Sequence, residues 1–116
     1  MKVWLDDIRP APEGYIWIKS VNEAKAFILS QERKYVDHLN ATREFDTSLL
    51  PRYWDMDHDA GEYAVDGGDY IELLNWLEKT CRVNFTFRIH SQNPVGVENM
   101  KRIIEKNRFR RWEEVK

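Results

Sequence analysis

Three apolar runs in this chain each stop at a short polar cluster: Val3-Trp4-Leu5 at Asp6-Asp7, Tyr53 and Trp54 at Asp57-His58-Asp59, and Phe87 and Ile89 at His90-Ser91. Stretches with helical periodicity separate them. Strands that alternate with helices build an open, mostly parallel sheet, and ligands of such sheets sit just beyond the carboxyl ends of the strands. The three clusters are therefore expected to converge on one cleft. Four carboxylates and two imidazoles there would repel an anion unless a cation or a protonated histidine intervened, which points to a metal site, acid/base chemistry, or both.

Val3-Trp4-Leu5 reads as the first strand, Tyr15 to Ile18 as the second and Arg52 to Asp57 as the third. Asn84 to His90 alternates apolar and polar residues, as at a sheet edge. Ser20 with Glu23 makes a capping box for a helix from about Val21 to Arg33, carrying Val21, Ala24, Phe27 and Ile28 on one face. Asp69 is expected to cap a second helix, marked by Ile71, Leu74, Trp76 and Leu77, that ends near Thr80. Pro94 opens a third, with Val97, Met100, Ile103 and Ile104 in phase to about Lys106. Lys34 to Pro51 has no clean period and reads as a partly helical insertion, at about 34–51. Phe109 to Lys116 either extends the last helix or adds a small edge strand. The order β, β, α, β, α, β, α predicts an α/β fold with a small doubly wound sheet. One connection is unusual: Asp6 to Tyr15 is too short for a helical crossover, so this loop, stiffened by Pro10 and Pro12, is expected to bring Arg9 beside the acidic pair.

With 116 residues, 42% of them hydrophobic, and five each of Trp, Tyr and Phe, the chain can bury one core and is read as one domain over 1–116. Trp4, Trp17, Tyr53, Trp54 and Trp76 are assigned mostly to that core. The single Cys81 excludes an intramolecular disulfide and a cysteine zinc site; it is expected to be a buried filler near a helix end, in a reducing, cytoplasmic compartment. The N-terminus turns acidic after five residues, and no run of about 18 apolar residues exists, so neither a signal peptide nor a membrane span is predicted. A net charge of −2 provides no footprint for duplex DNA, and the basic run from Lys101 to Arg111 reads as a solvated helix face.

Asp6, Asp7 and Asp57 are the hard oxygen ligands that Mg²⁺ or Mn²⁺ prefers; alone, an Asp-Asp pair equally well caps backbone N–H groups. His58 and His90 end different strands and could flank a phosphate, one as base and the other as acid. His38 lies in the insertion and has no such company. Ser91 to Gly96, joining the last strand to the last helix, offers a hydroxyl, the Asn93 amide and a helix N-terminus to an anion, or simply an N-cap followed by proline.

Val3-Trp4-Leu5-Asp6-Asp7-Ile8-Arg9-Pro10, Asp57-His58-Asp59-Ala60-Gly61, and Ile89-His90-Ser91-Gln92-Asn93-Pro94-Val95-Gly96 with Asn99-Met100, in this order, resemble the cyclic-phosphate processing receiver domain family. The resemblance implies a receiver-like, flavodoxin-type three-layer sandwich that has lost its first crossover helix. It implies a metal site at Asp6, Asp7 and Asp57, catalytic roles for His58, Asp59 and His90, and phosphate binding by Arg9, Ser91 and Asn93. The implied substrate is a 2′,3′-cyclic phosphate at an RNA end or on a nucleotide, handled by a metal-dependent phosphoesterase. Two positions depart from the pattern: Ala60 replaces a leucine, and no lysine ends a further strand. That lysine balances an acylphosphate in ordinary receivers, so its loss speaks against phospho-signalling through Asp57. The alternative to an enzyme is a binding module that captures a phosphate, nucleotide or protein in the same cleft without turnover.

Overall fold

The computed structural model describes residues 1–107 and 110–111. Strands β1 (Lys2–Leu5), β2 (Tyr15–Ile18), β3 (Tyr53–Met56), β4 (Thr86–Ile89) and β5 (Arg110–Arg111) form one sheet in the order β2-β1-β3-β4-β5, every pair parallel. Helices α1 (Val21–Thr42), α2 (Ile71–Lys79) and α3 (Pro94–Lys106) connect β2 to β3, β3 to β4 and β4 to β5. The receiver-like α/β fold and the missing first crossover helix are as expected. Of the two readings of Phe109 to Lys116, the small edge strand is present at Arg110–Arg111; the rest of the segment lies outside the described residues. The added strand moves β4 from the sheet edge to the interior.

The strand order corrects the layering. All three helical crossovers run in the same direction across the sheet, and crossovers between parallel strands are right-handed, so α1, α2 and α3 pack on one face. The β1-to-β2 step is the one that runs the other way, and there the chain has a loop where a helix would cover the second face. Among the described residues the fold thus has two layers, not the three of a doubly wound sandwich.

Side-chain alternation separates the two faces cleanly. Val3, Leu5, Trp54, Met56 and Phe87 point toward the helices and are fully buried with Val21, Ala24 and Ile28 of α1, Leu73, Leu74 and Leu77 of α2, and Met100 and Ile104 of α3. Lys2, Trp4, Tyr15, Trp17, Tyr53, Asp55, Thr86 and Arg88 occupy the other face. Of the five aromatics assigned to the core, only Trp54 is fully buried; Trp4, Trp17 and Tyr53 line the helix-free face, and Trp76 lies under the Arg82 guanidinium at the rim of α2.

Ser20 caps α1 as the sequence indicates, its hydroxyl accepting from the Glu23 N–H. The helix then runs nine residues beyond Arg33, to Thr42, so the predicted insertion is in fact its continuation plus a 3-10 turn, Thr47–Leu49, that leads back to β3. Tyr35, Val36 and Leu39 make a poor amphipathic stripe because this end of α1 extends beyond the core, and Val36 is 46% exposed. Arg43, in the left-handed conformation, ends the helix by donating its N–H to the Leu39 carbonyl. His38 lies on this outer extension.

Two local readings change. Asp69 does not cap α2; its carboxylate accepts from the Ala60 N–H and fixes the loop after β3. Cys81 is exposed rather than buried, because α2 ends in a Schellman motif: the N–H of Arg82 reaches the Leu77 carbonyl, that of Cys81 reaches Glu78, and Cys81 takes a φ of 56°.

Candidate active site at the carboxyl edge of the sheet

The three polar clusters do meet at one edge. Backbone bonds continue the ladders just past the strands, with Asp6 N–H donating to Ile18, Asp57 N–H to Leu5 and His90 N–H to Met56, which places Asp6, Asp57 and His90 side by side. Carboxylate oxygens of Asp6, Asp7 and Asp57 lie within 4.8 Å of one another. Asp7 packs against the backbone of Gly61: a Cβ there would sit 2.3 Å from Asp7 Oδ2, and φ is +54°, so both the close approach and the turn require glycine. Burial raises the Asp7 carboxyl above its ordinary value, and the neighbouring Asp6 and Asp57 charges push the same way. An all-oxygen set of crowded carboxylates fits a hard divalent cation such as Mg²⁺ or Mn²⁺, and this triad could hold one.

Asp6 and Asp55, with the His90 ring between them, form the most buried part of the site. The His90 ring folds onto the helix-free face, where its Nδ1 lies 2.5 Å from Asp55 Oδ1, its Nε2 lies 2.8 Å from Asp6 Oδ2, and Trp4 stacks on it with centroids 3.9 Å apart. Burial alone would lower its pKa, but the hydrogen bonds and charges of Asp55 and Asp6 outweigh that and raise it, favouring the imidazolium. Asp6 is 1% exposed. Burial pushes its carboxyl up, yet Oδ1 accepts from the N–H groups of Ile8 and Arg9 and Oδ2 meets His90, so the net shift is downward. Beneath the cluster, burial first and then the Asp7, Asp6 and Asp57 charges raise the Tyr70 hydroxyl, which stays protonated and donates to the Lys19 carbonyl.

His58 belongs to a second group. The chain turns at Asp57, whose Oδ1 accepts from the His58 N–H, and the His58 Nδ1 lies 2.8 Å from Asp59 Oδ1 and 3.4 Å from Asn93 Nδ2. The ring rests on the first turn of α3. Gly96 makes that possible, since a Cβ there would stand 2.4 Å from His58 Cδ2. Asn93 caps α3 through Oδ1 to the Gly96 N–H and donates its own N–H to Ser91 Oγ. The capping reading of this loop is thus present, with the Asn93 side-chain amide beside His58.

The short first loop behaves as its length requires. Arg9 donates from its guanidinium to the His90 carbonyl, and its own carbonyl accepts from Trp4 Nε1, while Trp17 Nε1 donates to the Asp6 carbonyl. Arg9 thereby stands at the rim of the acidic cluster. Asp55 and Trp4 are the site residues that sequence reasoning overlooked. The available signal was a carboxylate inside an otherwise apolar strand, where aspartate is disfavoured unless something holds it.

No helix among the described residues is long and apolar enough to cross a membrane. Neither the curated proteins nor the solved structures compared include a match to this chain. The family model described as "Cyclic-phosphate processing Receiver domain" matches residues 1–106, which span every cluster above. The chain belongs to the cyclic-phosphate processing receiver domain family.

Proposed function

We propose that this protein is a metal-assisted phosphoesterase that opens 2′,3′-cyclic phosphates at RNA ends or on nucleotides. The observation that carries this reading is the pairing of an acidic triad with two histidines that are differently held at the same edge. Asp6, Asp7 and Asp57 would hold Mg²⁺ or Mn²⁺, which when bound would offset phosphate charge and acidify a water. His58 turns Nδ1 to Asp59, which leaves Nε2 as the atom that takes a proton from the attacking water, and Asp59 stabilises the imidazolium that results. As water adds to phosphorus, one phosphorus–ribose oxygen bond breaks and that oxygen requires a proton. His90, favoured as an imidazolium, carries one on Nε2 and delivers it when the ribose oxygen replaces Asp6 there. Arg9 and Ser91, with the Asn93 amide, orient the phosphate oxygens.

The test is hydrolysis of a 2′,3′-cyclic mononucleotide with Mn²⁺, followed by phosphorus NMR. Turnover should disappear with chelator and fall at least about a hundredfold in His58→Ala. Full activity under both conditions would overturn the reading. One observation favours the non-catalytic alternative: both His90 nitrogens are already engaged and Asp6 is closed to solvent. A cleft that only captures the phosphate would give saturable tryptophan quenching with no new phosphorus resonance.

A further inference from the structure

The indole of Trp4 touches two residues of the reaction, His90 and Arg9, and has no role in it so far. Its ring lies flat on the His90 imidazole, with centroids 3.9 Å apart and planes 8° apart. Its Nε1 donates to the Arg9 carbonyl over 2.8 Å, and the Arg9 guanidinium in turn donates to the His90 carbonyl. Trp4, Arg9 and His90 thereby close a ring of contacts that joins the first loop to the end of β4. The indole is itself well held. Tyr15 meets it edge-on, with centroids 6.0 Å apart, and its backbone lies in β1, paired with β2 on one side and β3 on the other.

We propose that Trp4 is a positioning residue that fixes the proton donor His90 relative to the phosphate-binding Arg9; the proposal rests on the phosphoesterase reading for what those two residues do. The need for it arises during proton delivery. Before substrate binds, Asp55 holds the imidazole at Nδ1, Asp6 holds it at Nε2, and the indole lies on its face. The ribose oxygen then takes the place of Asp6 at Nε2, so one in-plane bond is given up just when alignment matters. The remaining bond at Nδ1 pins one corner of the ring and lets the rest tilt. A flat stack resists that tilt, so Asp55 and Trp4 together keep Nε2 aimed at the leaving oxygen. Because the same indole ties down the Arg9 backbone, donor and phosphate clamp keep their spacing as the loop and strand move. A misplacement of about 1 Å between such groups costs about a hundredfold in rate.

Two substitutions separate the two contacts: Trp4→Phe keeps a ring on His90 but removes the N–H that Arg9 uses, and Trp4→Leu removes both. Proton NMR in chelator reads the stack, because a ring lying on the imidazole shifts the His90 ring protons upfield. That shift should be lost in Trp4→Leu and kept in Trp4→Phe. Calorimetric titration with Mg²⁺ and a nucleoside 3′-monophosphate, which carries no cyclic phosphate to open, reads Arg9; affinity should fall about fivefold in both variants. With a 2′,3′-cyclic mononucleotide, kcat should fall about a hundredfold in Trp4→Leu and stay within about threefold of wild type in Trp4→Phe. A loss caused only by a weaker fold would follow the urea midpoints and would not divide in this way. Unmoved His90 protons in folded Trp4→Leu, wild-type affinity in both variants, or wild-type kcat in Trp4→Leu would overturn the positioning role. A wild type that opens no cyclic phosphate would overturn the phosphoesterase reading alone, and the NMR and calorimetric comparisons, which need no turnover, would still decide the role of Trp4.

Discussion

Asp55→Ala tests how the deepest part of the site is held. Asp55 is 4% exposed, and its carboxylate lies 2.5 Å from His90 Nδ1. Removing one partner of a buried ion pair typically costs about 3–5 kcal/mol. Here Asp6 keeps its 2.8 Å bond to the ring and Trp4 keeps its stack, so the low end, about 3 kcal/mol, is expected. Asp55→Asn retains an acceptor oxygen for the ring N–H and loses only the charge, for about 1.5 kcal/mol. With a urea slope of about 1.5 kcal/mol/M, the unfolding midpoints fall by about 2 M and 1 M. The experiment is run in chelator. The folded His90 pKa is raised above the ordinary 6.5, so its stabilisation is complete below that value and is lost as pH rises through the folded value. The gap between wild type and Asp55→Ala should accordingly narrow at alkaline pH, and the ring titration followed by proton NMR should move to lower pH in the variant. An Asp55→Ala midpoint within about 0.3 M of wild type, with an unmoved titration, would refute the clamp.

Gly96→Ala places a methyl against the His58 ring, so the ring must leave the α3 turn; hydrolysis should fall at least about tenfold while helix propensity keeps stability within about 1 kcal/mol, and wild-type turnover in a folded variant would count against the assigned ring position. Cys81→Gly relieves a left-handed residue at an exposed helix end and should raise stability by about 1 kcal/mol in urea melts; a lower midpoint would contradict the Schellman assignment. Asp66 accepts from the Ser20 hydroxyl and the Asn22 amide, which hold its carboxyl below the ordinary 3.8. Its contribution is complete above that value and lost as pH falls through the lower folded one, so Asp66→Asn should melt closer to wild type in strong acid than at neutrality, and a gap that widens on acidification would contradict this.

The strand ends were legible because the rule that places ligands at carboxyl edges needs only the boundaries of apolar runs, and these were sharp at Leu5, Met56 and Ile89. The short first loop likewise announced a missing helix. What it did not announce was that the three helices share one face, because the hand of the other three crossovers depends on strand order, and strand order is a long-range property. The Trp4, Trp17 and Tyr53 rings looked like core for the same reason: hydrophobic size alone does not tell which face of a strand meets the helices. Asp55 went unassigned because its partner His90 is 35 residues away, and without that partner a lone aspartate between Trp54 and Met56 reads as an interruption of a strand. The length of α1 was missed where packing stops and the amphipathic signal fades with it.

The His90 clamp also has a consequence in time. Its two carboxylates are separated from it by 84 and 35 residues in sequence, so no N-terminal fragment, however well its first strands pair, contains the assembled cluster. During vectorial synthesis the acidic pair emerges early and waits for the fourth strand before its counter-charge arrives. Docking of β4 and arrival of that charge are one event, so a chain stalled before β4 leaves Asp6 and Asp55 without the cation that neutralises them.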